Sequence, residues 1–202
     1  MSRRILALIA VLAISLAILT GLAIRRGVGG DTSPVAIGGP FQLVDTSGRT
    51  VGQELLKGKW SVMFFGFTHC PDICPTTLFE MAQVEPLLGP AVKDLQTVFI
   101  SVDPGRDTVA QMKAYVANDA FPKRLIGLTG TPEQVDAAAK AYRIYYQKVG
   151  DGDDYQVNHA AYSYLINPRG KFACVLAYDL TPEQTAAKIQ AAMKQGDRAT
   201  SC

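Results

Sequence analysis

Two uninterrupted apolar runs constrain this chain more than any other feature: residues 60–67 (WSVMFFGF) and 96–102 (QTVFISV). A strand with one wet face alternates apolar and polar side chains. Runs without alternation, rich in β-branched and aromatic residues, fit strands buried on both faces. Each run leads into helical periodicity. After the first, residues 76–85 place Leu78, Met81 and Ala82 on one stripe, with Pro75 where a first helical turn tolerates it and Pro86 expected to end or kink the helix. After the second, residues 107–118 predict an amphipathic helix capped by Asp107 or Thr108.

The remainder continues the pattern. FQLVDTSGRTV at 41–51 suits a short hairpin, 125–128 a short strand, and Thr131-Pro132-Glu133 opens a helix running to about Tyr142. Residues 162–166 and 172–176 flank the turn Asn167-Pro168-Arg169-Gly170 and predict an antiparallel hairpin, followed by a last helix from Thr181 to about Gln195. Together these elements predict an α/β fold with a central mixed sheet and helices on both faces.

Residues 5–24 carry no charge over a length that covers the ~30 Å hydrocarbon core as a helix. A cleaved signal peptide has a shorter apolar core, so the segment reads as an uncleaved single-pass anchor, with a short tail inside and the domain outside. The expected organisation is an anchor at 1–26, a Gly-rich tether at 27–40, a folded domain at 41–196 and a C-terminal tail at 197–202. The net charge of +2 includes four arginines within the first thirty residues, so the rest is slightly acidic. No basic patch points to nucleic acid.

The chemistry is concentrated where the first strand meets its helix, at His69-Cys70-Pro71-Asp72-Ile73-Cys74. Unpaired N–H groups and the macrodipole at a helix start favour thiolate over thiol. Two sulfurs at this spacing can hold a soft metal, cycle between dithiol and disulfide, or form a structural bridge. His69 neighbours Cys70, but successive residues of an extended segment point to opposite sides, so it reads as a packing residue or one supporting the site rather than as a ligand. His159 follows the loop Gly150-Asp151-Gly152-Asp153-Asp154 and precedes the 162–166 strand. It reads either as a packed imidazole or as the nitrogen of a two-sulfur, one-nitrogen site, which suits copper in either oxidation state. Asp103 ends the second buried strand at the sheet's carboxyl edge, where ligands of open α/β sheets gather. It reads as a turn cap or as a residue supporting the site. The acidic loop lacks the ligand pattern of a calcium loop and reads as an exposed turn. Cys174, in an apolar run, and Cys202, the last residue, read as incidental.

Three segments, GFTHCPDICPTTL at 66–78, ISVDPGRDT at 100–108 and VNHAAYSYLINPRGKF at 157–172, resemble the Sco/SenC family in order and spacing, and the resemblance covers about residues 38–193. It implies a thioredoxin-like fold, with Cys70, Cys74 and His159 as ligands for Cu(I) or Cu(II). It also implies a role in assembling the copper centre of cytochrome c oxidase, from the periplasmic side of a bacterial inner membrane. The partners it implies are the oxidase's copper-site subunit and an upstream copper donor that it does not identify. One departure is Asn158, where family members commonly have an acid. A thioredoxin-type reductase usually carries a cis-proline before the strand equivalent to 162–166; this chain has Ala160-Ala161 there. The leading expectation is therefore a metallochaperone. A thiol-disulfide oxidoreductase using Cys70 and Cys74 is the alternative, and a peroxide-reducing enzyme or redox sensor on the same fold a more distant one.

Overall fold

The computed structural model describes residues 3–27 and 37–202 except Asp153. The N-terminal segment is a helix, α1 (Arg3–Gly27). Among the described residues no helix is long and apolar enough to cross a membrane. The expected tether falls mostly on residues 28–36, outside the described residues.

Residues 37–202 form a separate compact unit. Its strands are β1 (Gln42–Asp45), β2 (Thr50–Gly52), β3 (Trp60–Gly66), β4 (Leu95–Ser101), β5 (Leu125–Thr129), β6 (Tyr146–Val149), β7 (Gln156–His159), β8 (Ser163–Ile166) and β9 (Phe172–Leu176). Its helices are α2 (Ile73–Leu87), α3 (Val109–Val116), α4 (Pro132–Ala141) and α5 (Pro182–Gln195). Seven strands make one mixed sheet in the order β2-β1-β5-β4-β3-β8-β9, while β6 and β7 pair only with each other. As the unbroken apolar runs require, every residue of β3 and β4 is buried. Successive side chains of β3 serve opposite faces. Phe64 stacks on Phe99, which meets Tyr115 of α3, whereas Phe65 meets Tyr142 at the end of α4. A second cluster joins Val62, Leu165, Val84 and Ile189, packing α2 against α5.

The predicted punctuation is largely found. The hydroxyls of Thr131 and Thr181 accept from the N–H groups of Gln134 and Gln184, whose side chains bond back to the cap N–H, so α4 and α5 both start on full capping boxes. Asp45 turns β1 into β2 by accepting from the Ser47 and Arg49 N–H groups. Thr108, not Asp107, caps α3, through the Gln111 N–H. Helix α2 begins at Ile73, earlier than its apolar stripe suggests, and ends one residue beyond Pro86.

The incidental reading of Cys174 and Cys202 is corrected: they form a disulfide, with Cα atoms 5.9 Å apart at a sequence separation of 28. The last residues are a docked tail rather than a frayed end. Ala199 is buried in the second cluster, and its carbonyl accepts from the Asn167 side-chain amide. The pairing was illegible locally, because it depends on the tail returning across β9. Cys202→Ser is expected to lower stability by ~2–4 kcal/mol, the usual value for closing a loop of this order. In denaturant melts, reductant should reproduce that loss in the wild-type chain and do nothing to the variant. Equal melts for the oxidised and reduced wild type would refute a stabilising role.

Candidate metal centre

Strand β8 runs antiparallel to β3, pairing Ser163 with Phe64. Residues just before β8 therefore lie beside the carboxyl end of β3, where the cysteine loop begins. That topology brings His159 to Cys70 and Cys74 across 85 residues of sequence, with His159 Nε2 3.4 Å from Cys74 Sγ. One ligand atom from each of the three residues lies within 4.8 Å of the other two, the only such group among the described residues.

The local chemistry favours these atoms as ligands. His159 Nδ1 lies 2.9 Å from the Ala160 carbonyl oxygen, which can only accept. Nδ1 therefore carries the proton, and the Nε2 lone pair faces the sulfurs. The imidazole is fixed edge-on by Phe64 and Phe67, at 6.0 and 5.7 Å between ring centroids. At the start of α2 the Cys74 N–H donates to Cys70 Sγ at 3.4 Å, so a free helix-start amide does point at sulfur. Cys74 is fully buried and Cys70 half-buried.

The two thiols differ accordingly. Cys70 is held down to about 4, chiefly by the hydrogen bond from the Cys74 thiol, with backbone N–H groups adding to it against the opposing effect of burial. Burial pushes Cys74 far above the ordinary thiol range, and the hydrogen bond and charge of Cys70 act in the same direction. Without a metal, the pair is one thiolate and one thiol sharing a proton.

A family model described as SCO1/SenC matches residues 29–194. The chain belongs to the SCO1/SenC family. Among its relatives, the mitochondrial SCO1 homolog 1 of Arabidopsis thaliana is 45% identical over 153 residues, covering 75% of this chain and 45% of that protein. The chain thus spans less than half the length of that relative. The copper-bound structure of Bradyrhizobium japonicum ScoI is 45% identical, with a TM-score of 0.68 over 75% of this chain and 96% of that one. BsSco, described as a Sco-family cytochrome c oxidase assembly protein with a disulfide switch, is 25% identical, with a TM-score of 0.63 over 83% of this chain and 97% of that one. The thioredoxin-like α/β fold with a central mixed sheet is shared with these structures.

In this SCO1/SenC protein the other expected residues take different places. His69 is largely exposed, with Nδ1 3.1 Å from the Thr68 hydroxyl, and lies outside the metal-ligating group. Asn158 is exposed and faces Gln147 across β6. Asp103 is buried and accepts from the Tyr155 hydroxyl at 2.5 Å and from Arg106 Nε at 2.5 Å. It therefore reaches the site through the hairpin that carries His159.

Sequence reasoning missed two residues of this SCO1/SenC protein. Asp107, read as a cap, is fully buried and accepts from the Thr68 N–H at 3.0 Å, the Thr68 hydroxyl at 2.6 Å and the Ser101 hydroxyl at 2.7 Å. It pins the loop that presents Cys70. Gly66 ends β3 where an added Cβ would lie 2.6 Å from Cys74 Sγ. Both fall inside segments that carry the family resemblance, Gly66 at the head of GFTHCPDICPTTL and Asp107 in ISVDPGRDT, so a signal existed for each; what each one does there shows only in three dimensions.

Proposed function

We propose that this chain is a membrane-tethered copper metallochaperone that assists assembly of the copper centre of cytochrome c oxidase. Cys70, Cys74 and His159 hold the copper. The observation that carries this reading is the convergence of two sulfurs and a correctly oriented imidazole nitrogen within 4.8 Å. Two soft thiolates with one imidazole suit copper as Cu(I) or Cu(II), so the donor set fits the metal bound in the ScoI relative. Half-buried Cys70 is the sulfur through which copper can pass, by ligand exchange, to thiolates of the oxidase's copper-site subunit. The uncharged segment 5–24 supports a single-pass tether in the bacterial inner membrane, with the domain on the periplasmic side. A disulfide between Cys174 and Cys202 suits that oxidising compartment.

Anaerobic titration of the reduced full chain in detergent with copper is expected to saturate at one equivalent, and His159→Ala to weaken the site at least tenfold. Absence of saturation, or an unchanged site in the variant, would overturn the reading. Because Cys70 is already ionised above about 4, binding near pH 7 should release about one proton from the sulfur pair, that of Cys74.

The asymmetry of the thiols supports a second activity, thiol-disulfide exchange. The Cys70 thiolate attacks a substrate disulfide, forming a mixed disulfide and expelling one thiolate. Cys74, on losing its proton, attacks Cys70 Sγ, releasing the second thiol and leaving a Cys70–Cys74 disulfide. Exchange with an oxidised dithiol peptide that needs no metal and survives His159→Ala would support this activity. Exchange that disappears with the metal or the histidine would not.

A further inference from the structure

The imidazole of the site sits on an element that the main sheet does not hold. Strands β6 and β7 form a separate two-stranded ribbon, and such a hairpin is at best marginally stable by itself. Val157 is buried and Tyr146 packs against the core, but apolar contacts are non-directional and do not by themselves set the angle at which the ribbon presents His159. We propose that Arg106 is the positioning residue that locks the His159 hairpin against the cysteine loop, an inference that rests on reading Cys70, Cys74 and His159 as copper ligands.

The guanidinium touches three segments at once. Its Nε donates to Asp103 Oδ2 at 2.5 Å, in the turn after β4. Its Nη1 donates to the Tyr155 carbonyl at 3.0 Å, just ahead of β7. Its plane lies over the Tyr155 ring at 3.7 Å and faces Phe67 at 5.8 Å. Phe67 is one of the two aromatics that meet the His159 ring edge-on, and Cys70 lies three residues beyond it. The Tyr155 hydroxyl closes the clamp on the other Asp103 oxygen, and Lys148 Nζ covers the same ring at 3.7 Å. Charge-assisted bonds and cation–π contacts of a part-buried guanidinium are among the stronger polar interactions in a protein. Nη2 is buried without a hydrogen-bond partner among the described residues, a cost the aromatic faces offset. Lysine offers no planar fork and cannot make this set of contacts.

The test uses the full chain in detergent, as wild type, Arg106→Leu, Arg106→Lys and Tyr155→Phe. The metal-free proteins are compared by amide hydrogen exchange, and the copper-loaded proteins by sulfur-to-copper charge transfer and nitrogen hyperfine coupling. Arg106→Leu is expected to raise exchange in β6 and β7 about tenfold while β3 and β4 stay unchanged. It should also keep the sulfur signature and lose the imidazole nitrogen coupling, as His159→Ala does. Tyr155→Phe, which keeps the ring under the guanidinium, should shift both readouts in the same direction by less, and Arg106→Lys should not rescue. Hairpin exchange and nitrogen coupling equal to wild type in Arg106→Leu would overturn the proposal. So would a uniform rise across β3 and β4 in Arg106→Leu together with unchanged hairpin exchange in Tyr155→Phe. If the wild type takes up no copper the metal reading fails, and the metal-free exchange still decides whether Arg106 holds the hairpin.

Discussion

Gly66→Ala is expected to weaken copper binding at least tenfold in a chain that still folds. The added methyl would stand 2.6 Å from Cys74 Sγ, 2.8 Å from the Phe99 ring and 3.2 Å from the Phe64 ring. Those distances are well inside van der Waals contact, so something must move. The rings are locked against each other in the core, which leaves the first turn of α2 and its sulfur to yield. Overpacking of this kind costs ~1–3 kcal/mol of stability, and a displaced Cys74 no longer sits 3.4 Å from His159 Nε2. Gly127→Ala is the control. Its Cβ would meet Met112 at 2.7 Å and Val116 at 2.8 Å, where α3 packs on β5, so it should cost comparable stability and leave the metal site intact. Denaturant melts and anaerobic copper titrations on both variants separate the effects. Affinity within twofold of wild type in Gly66→Ala, or equal losses in both variants, would contradict the proposed role.

The second large effect is in thiol reactivity. With its pKa held near 4, Cys70 is ionised throughout the neutral range, so its alkylation by iodoacetamide should hardly change between pH 6 and 8. An ordinary thiol near 8.5 gains almost a hundredfold in thiolate over that interval. Absolute rates separate the two less well, because intrinsic nucleophilicity falls as a thiol acidifies and cancels the ionisation advantage. The flat profile is therefore the diagnostic. Cys74, buried and held protonated, should remain unmodified until Cys70 has reacted. Cys74→Ala removes the hydrogen bond that contributes most to the acidity of Cys70, so a rising profile should return. Site-resolved mass spectrometry reads both positions. A wild-type Cys70 rate that climbs with pH like an ordinary thiol would show the pair to be uncoupled.

Much of this was legible along the chain, for local physical reasons. Unbroken apolar runs mark strands buried on both faces, and β3 and β4 are such strands. Thr131 and Thr181 mark helix starts because a hydroxyl there meets a free N–H, and both do so. The cysteines stand at a helix start because β3 ends directly before them. The hairpin carrying His159 gives no strand signal along the chain, since YQKV and QVNH are short, polar and separated by an acidic turn; their pairing is with each other rather than with the sheet. Asp and Thr are equivalent caps in local terms, so along the chain Asp107 and Thr108 compete for the start of α3. Only the fold shows that Thr108 takes the cap while Asp107 turns inward to Thr68 and Ser101.

What the sequence determined by itself is what near neighbours decide: the strand and helix segments, the two thiols at a helix start, and, through three matching segments, the family. The rest depends on residues far apart in sequence, which only the fold brings together. The antiparallel entry of β8 beside β3 brings His159 to the sulfurs, and Gly66 clears the space that Cys74 occupies. Arg106 ties three segments together, and the returning tail joins Cys202 to Cys174. The reason is that hydrogen bonds, ring contacts and sulfur bridges act over a few ångströms, while sequence position restricts proximity only within a turn or two.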